Sequence, residues 1–303
     1  MKRLFLYALM LSVLSPGAVA ARGNAEKSVF AVVVTRHGVR SISKAPAQYS
    51  WADWSPVASS FLTARGYTLM TYLGQYYRVY FASRGIPVNC AANNAYIYAD
   101  TDQRTLATGS ALIEGMCGKA TALPLFHNAD ASGKSDDPLF DATQWAATNN
   151  RIDARASRNA VLAALPSPPS AVVTAHRTEF DVLQHLLDPR CAASCTPVAA
   201  GDVSITASKD GLAEVGDPLK TASTYAEDLF LEYAQCRPDV SDDISQAMRV
   251  HVLAYDINAR NAYNPRVRGG TLFAHIVAML ESKAGSPHGD VQIPDIAKDN
   301  IVV

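Results

Sequence analysis

Ser28-Val29-Phe30-Ala31-Val32-Val33-Val34-Thr35-Arg36-His37-Gly38-Val39-Arg40 is the stretch whose reading decides the fold. Val29 to Val34 is an unbroken apolar run, rich in β-branched residues and no longer than a strand. Such a run reads as a strand buried on both faces, as in a parallel α/β sheet. Open α/β sheets hold ligands beyond the carboxyl ends of their strands, so Arg36-His37-Gly38-Val39-Arg40 stands where chemistry is expected. Two guanidiniums offer forked donors matched to the oxygens of a phosphate. The imidazole between them is a candidate nucleophile, and neighbouring positive charge disfavours its protonated form. Gly38 lets the backbone turn tightly and a ligand come close. The competing reading is a basic strand end bonded to loop carbonyls.

Working outward, 303 residues hold one large or two ordinary domains. A hydrophobic share of 49% with 18% charged residues describes a globular chain with a core. A net charge of -1 gives no support for nucleic acid or anionic lipid as a partner, so any anion site must be a local cluster. Lys2 and Arg3, the apolar run Leu4 to Leu14 and the small-residue site Ala18-Val19-Ala20 form an export leader over residues 1–20. The run is short for a membrane span, so the mature chain is expected to begin at Ala21, free of the membrane, in a periplasm or outside the cell. Five cysteines in an exported chain point to disulfides rather than metal. Cys191 and Cys195 are close enough for a small loop. Zinc is the rival for this Cys-x-x-x-Cys, but no second ligand pair accompanies it. Cys236 is left over, as a free thiol, an intermolecular bridge or half of a pair completed outside this chain.

Along the chain, Trp51 to Pro56 is an aromatic, proline-bearing loop beside the presumed site. A helix is expected from Tyr67 to Arg84, with Leu69, Leu73, Tyr76, Tyr77 and Tyr80 at helical spacing and a stop at Gly85 and Pro87. Ala95 to Ala99 is a second strand, running into Asp100-Thr101-Asp102-Gln103-Arg104-Thr105 and a helix through Met116. With Thr101 or Asp102 as N-cap, Arg104 falls in the first turn of a helix at a strand's carboxyl end, the place for a third anion ligand. A surface arginine is the competing reading. From about Asp141 to Ala247 the chain turns rich in Ala, Ser and Asp, with helical runs such as Phe180 to Leu187 and a linker from Pro166 to Ser170, as a helical insertion would. His176 and His185 within it read as solvated or structural. A helix from Ser245 to Asn261 is expected to return to the core. After Arg266-Val267-Arg268-Gly269-Gly270 comes another, Thr271 to Glu281, with Arg268 as a basic helix start and His275 as a helix-face histidine. Lys298 to Val303 reads as a further core strand.

Arg36-His37-Gly38-Val39-Arg40 after such a strand resembles the signature of the histidine acid phosphatases, the branch of the histidine phosphatase superfamily with bacterial phytases and glucose-1-phosphatases. Ile42 stands where that family writes proline. Asp100-Thr101-Asp102-Gln103-Arg104-Thr105 resembles its second motif. Leu62-Thr63-Ala64-Arg65-Gly66, Asp137-Pro138-Leu139-Phe140 and the helix Ser223 to Tyr233 are similar to its other segments. The resemblance implies an α/β fold: a phosphoglycerate-mutase-like core sheet flanked by helices, built from residues 21–140 and 248–303, with a smaller, mostly α-helical cap at 141–247. It implies a disulfide between Cys90 and Cys117.

The chemistry it implies is hydrolysis of a small phosphomonoester, such as phytate or a sugar phosphate, through a phosphohistidine. His37 would be the nucleophile and Arg36, Arg40 and Arg104 the phosphate ligands, with no metal and no organic cofactor. The family's last strand runs into a His-Asp or His-Ala-Glu motif that supplies the proton donor, and no such motif occurs in this sequence. His288-Gly289-Asp290 comes closest but sits in a Gly/Pro loop before the strand, so the proton donor is unassigned. The core is therefore expected to be incomplete at its C-terminal end. The alternative function is accordingly an impaired, truncated chain or a phosphate-binding pseudoenzyme. A cytoplasmic phosphoglycerate-mutase-like enzyme also uses Arg-His-Gly, but the leader and the insertion count against it. Oligomeric state is not set by the sequence.

Overall fold

The structure is a computed structural model, and it describes residues 30–44, 47–119, 123–128, 137–237, 243–286, 289, 291 and 300–303. The expected leader and mature start, Ser28, Val29, His288, Asp290, Lys298 and Asp299 lie outside the described residues. The first half of the chain gives β1 (Ala31–Val32), α1 (Ala64–Ser83), β2 (Ala95–Tyr98), α2 (Gln103–Cys117) and β3 (Leu125–Phe126). Next come α3 (Ala142–Thr148), α4 (Ala154–Ala164), α5 (Pro169–Ala175) and α6 (Arg177–Leu187), then the hairpin β4 (Ile205–Ala207) and β5 (Ala213–Val215). The chain continues through α7 (Leu219–Ala234), α8 (Ile244–Ala259), α9 (Asn264–Lys283) and β6 (Ile301–Val302).

Strand β1 is shorter than the apolar run that announced it. Among the described residues its ladder partner is β6, in a parallel sheet of order β1-β6-β2-β3. Ala31 pairs with Ile301 and Val32 with Val302, and the Val33 amide donates to the Val302 carbonyl at 2.8 Å. Beyond that bond the backbone leaves the ladder, and Val34 is 66% exposed. As the edge strand of the described sheet, β1 is half-buried rather than sealed. Its side chains do alternate between two layers: Ala31 and Val33 meet the α1/α2 side, Phe30 and Val32 meet Ile276 and Met279 of α9. The last residues of the sequence form the strand expected of them, with β6 between β1 and β2 and its register fixed on both sides. The sheet is thus parallel with helices on both faces, the α/β architecture read from the sequence.

The expected stripe of α1 holds in part, since Leu73, Tyr77 and Tyr80 pack against the core cluster. Gly66, Met70, Gly74 and Phe81 are buried, whereas Leu69 and Tyr76 are 39% and 48% exposed. The cause is the backbone contact with α2. A Cβ on Gly74 would lie 2.4 Å from the Leu112 carbonyl oxygen, and one on Gly115 2.0 Å from that of Thr71. Only glycine permits this approach, so α1 and α2 meet backbone to backbone at the crossing, and Leu69 and Tyr76 are left outside. The disulfide Cys90–Cys117 ties the C-terminal end of α2 to the segment before β2.

A second apolar cluster gathers α4 to α8 with the hairpin, around Val161, Phe180, Leu183, Leu187, Leu219 and Leu229. Helix α8 does not return to the sheet. Ile244, Ala247, Val250, Ala254 and Ile257 all pack in this second cluster, so the expected division at 247/248 falls inside a helix. Helix α9 starts earlier than expected and runs unbroken through Gly269 and Gly270. Its start is set by Asn261, whose Oδ1 accepts from the amides of Tyr263 (2.9 Å) and Asn264 (2.8 Å). Cys191 and Cys195 are joined by a disulfide, and the Cys236 thiol is free and exposed. No helix among the described residues is long and apolar enough to cross a membrane.

The glycine crossing is testable. Gly115→Ala should lower unfolding free energy by about 3 kcal/mol, because backbone rather than a movable side chain opposes the new methyl. Urea unfolding should show an earlier midpoint at unchanged slope; an unchanged midpoint would mean that α1 and α2 part at no cost.

Candidate active site

The loop after β1 is wedged between the first turns of α1 and α2. The Gly38 amide donates to Thr108 Oγ1 (3.0 Å), and that hydroxyl donates to the Arg104 carbonyl (2.7 Å). The Val39 carbonyl accepts from the amide and the hydroxyl of Thr63, at 3.0 and 3.1 Å. Thr63 is also the N-cap of α1, accepting from the Gly66 amide at 2.9 Å. Gly66 presses so closely on the loop that a Cβ there would lie 2.1 Å from the Val39 carbonyl oxygen. Two helix starts and one strand end therefore fix the residues the sequence singled out.

Within this frame His37 Nδ1 lies 2.8 Å from the Gly38 carbonyl oxygen. A carbonyl only accepts, so Nδ1 carries the proton and Nε2 of the neutral ring keeps its lone pair. Burial pulls the imidazole below its ordinary value; the Gly38 carbonyl opposes this, and the charges of Arg36, Arg104 and Arg40 add to it. The charge of each of the three expected arginines thus reaches the ring, and Arg36 and Arg104 line its cavities with it. Arg40 is 8% exposed, with Nη1 donating to the Ser41 carbonyl at 2.9 Å. Arg104 pairs with Asp102 at 2.5 Å, and its Nε is buried without a hydrogen-bond partner. Asp102 occupies the N-cap position of α2 but makes no side-chain capping bond.

His37 and Arg36 line two cavities. One, of about 230 Å³, runs along α2 past Asp100, Arg104, Thr105 and Phe140. The other, of about 140 Å³, faces α7 and α8 at Glu227, Phe230, Met248 and His251. The aromatic loop Trp51 to Pro56 lines a separate cleft of about 570 Å³ that begins at Ser41, just past the signature, and contains none of the three arginines. Arg268 faces Glu214 at 3.8 Å, and His275 Nδ1 bonds to the Thr271 carbonyl at 2.9 Å; neither lines the two cavities at His37. His176 and His185 also lie off these walls.

Sequence reasoning missed the acidic and imidazole groups across from the signature. Glu227 Oε1 lies 2.8 Å from Arg36 Nη2 and 3.3 Å from Arg40 Nη2. Burial works to raise its carboxyl, but Arg40 and Arg36 outweigh it and hold the group below the ordinary range. Beside it, burial and the Glu227 charge push Asp228 up to about 7. His251 Nδ1 sits 3.1 Å from both the hydroxyl and the carbonyl of Ser223, and burial lowers that imidazole. The available signal was Glu227-Asp228 within the otherwise apolar face of Ser223 to Tyr233. Along these two cavities the exposed donors are the guanidiniums of Arg36 and Arg104 beside the His37 ring, while Arg40 lies behind them.

The profile of the histidine phosphatase superfamily (branch 2) matches residues 29–185. Phytase AppA of Escherichia coli (strain K12) is 30% identical over 251 residues, covering 76% of this chain and 56% of that protein. The chain therefore spans a little over half the length of this curated relative. Among solved structures, Hafnia alvei phytase in complex with tartrate superimposes with a TM-score of 0.78 at 24% identity, over 91% of this chain and 71% of that one. The apo form of the same phytase gives 0.74 at 25% identity, over 89% and 70%.

The charge around His37 has a direct readout. Its ring protons should titrate below 6.5 by NMR, and Arg104→Gln should move the titration upward by part of the difference, since burial remains. No movement in the variant would remove Arg104 from the field at the ring.

Proposed function

This chain belongs to the histidine phosphatase superfamily, branch 2, and from that premise we propose that it hydrolyses small phosphomonoesters through a phosphohistidine. The observation that carries the reading is the 2.8 Å contact of His37 Nδ1 with the Gly38 carbonyl, which assigns the lone pair to Nε2 within the field of Arg36, Arg40 and Arg104. The unpartnered Nε of Arg104 supports it, because a buried guanidinium donor without a partner is what an anion would satisfy.

In this mechanism Nε2 attacks phosphorus in line with the ester oxygen. The N–P bond forms as the P–O bond breaks, and the leaving oxygen departs with the bond's electron pair and takes a proton. The three guanidiniums balance charge on the non-bridging oxygens, so the mechanism needs no metal. Water then displaces the imidazole and releases phosphate. Likeness to phytases supports phytate, and family membership sugar phosphates, as substrates. We assign the second apolar cluster to a cap over the site, since Glu227, Phe230, Met248 and His251 come from its helices. The basic and apolar start of the sequence and the two disulfides support an exported protein. The likeness to phytases supports turnover over the alternative of a phosphate-binding chain without it.

An aryl phosphate is the discriminating substrate, because its leaving oxygen needs little protonation. Purified protein should turn it over and give an acid-labile phosphoenzyme on quenching, and His37→Ala should lose both. Arg104→Ala should lower kcat/KM by about 10²–10³. Turnover undiminished in His37→Ala would overturn the phosphohistidine.

A further inference from the structure

Helix α7 turns an acidic edge to the arginines. One oxygen of Glu227 engages Nη2 of both Arg36 and Arg40, two of the donors that the proposed mechanism gives to phosphate. Asp228, the next residue, is 4% exposed, and its Oδ2 is buried without a hydrogen-bond partner. The charged and titratable groups around them come from three sides. Glu227 faces Arg36 and Arg40 from the loop after β1, and His251 from α8. Asp228 faces Glu227 and Glu232 on its own helix, and Arg40. Glu232 is itself paired to Arg190 at 2.8 Å. A doubly charged oxyanion set between Arg36 and Arg40 would therefore meet a carboxylate already on its donors, and like charges in so confined a space do not both stay ionised.

We propose that Glu227 is the resident counter-anion of the clamp, and that a tetrahedral oxyanion enters only as Glu227 releases Arg36 and Arg40 and takes up a proton. The inference rests on the phosphomonoesterase reading and adds that cap carboxylates, not the His37 ring alone, set the pH dependence of anion binding. With the clamp empty, Arg40 and Arg36 hold the Glu227 carboxyl low; once they turn to the anion, burial is left to raise it. Binding therefore takes up a proton between the low free value and the raised bound value, and affinity falls as pH rises through that window. Asp228 adds a second step. Above about 7 it ionises and brings another negative charge near Arg40, weakening the anion's hold again.

Sulfate is the probe, being doubly charged and untitrated in this range. Its Kd is measured calorimetrically from about pH 4.5 to 8.5 for the wild type, Glu227→Gln and Asp228→Asn. The wild type should lose affinity in two steps. Glu227→Gln should bind about tenfold more tightly near neutral pH and lose the lower step. Asp228→Asn should keep the lower step and lose the one near 7. Protonation of His37 would appear as a fall common to all three proteins. Equal affinities with one shared pH profile would overturn this inference and leave the clamp standing. Failure of all three folded proteins to bind sulfate would overturn the clamp, and this inference with it.

Discussion

Positive charge gathered at one imidazole is the constraint the rest of the site answers to. Arg36, Arg40 and Arg104 all act on His37, and guanidiniums brought together at partly buried positions need partners. The chain supplies these from two distances. Arg104 is met locally by Asp102, whereas Arg36 and Arg40 are met by Glu227, far along the sequence on α7. The two halves of the Glu227 contact are unequal. Arg36 has a 61% exposed side chain, so its share is worth no more than about 1 kcal/mol. The Arg40 side chain is 10% exposed, and there the carboxylate answers a desolvated charge. The same pairing ties the loop after β1 to the helical cluster, so electrostatics and domain arrangement are not separable here.

Holding that charge in place is a matter of backbone packing. The loop makes few contacts of its own with the sheet, since β1 leaves the ladder after Val33. Its geometry comes instead from Thr63, Gly66 and Thr108, which grip the Val39 carbonyl and the Gly38 amide. Those three residues belong to α1, its N-cap and α2, which are locked to each other at Gly74 and Gly115. Rigidity therefore passes from a glycine crossing on one side of the sheet to the ring that carries the lone pair. The crossing also explains why long apolar side chains on α1 are left outside.

The parts of this arrangement that were legible in the sequence are the local ones. A β-branched run ending in Arg-His-Gly-Val-Arg, and a strand ending in Asp-Thr-Asp-Gln-Arg-Thr, each carry their chemistry at a strand's end, where topology alone gives it meaning. His37, Arg36, Arg40 and Arg104 could be read on that basis. Glu227 could not, because its role depends on where a cap helix meets a loop nearly two hundred residues earlier. On α1 only Leu69 and Tyr76 were misplaced, because helical periodicity weighs side chains and is blind to a contact made by their absence. Helix α8 was misplaced because its apolar face fits either layer, and only its packing with α6 and α7 chooses. The start of α9 was missed because Asn261 caps from outside the helix, where glycines inside it suggested a break.

The proposed nucleophile and the proposed counter-anion place opposite demands on pH. His37 must be neutral to use its lone pair, which favours higher pH, whereas Glu227 lets go of the arginines more readily as protons become available. One physical cause eases both demands. Burial lowers an imidazole and raises a carboxyl, because in each case it penalises the charged form. It is the largest influence on His37, and the largest on Glu227 too, although there the arginines overrule it while the clamp is empty. An anion that occupies those arginines removes the overruling influence. Desolvation then pushes the two groups apart in the directions that leave a neutral ring facing a protonated carboxyl. A site enclosed between a sheet edge and two helices is thereby suited to mildly acidic solution through its burial, before any individual proton donor is considered.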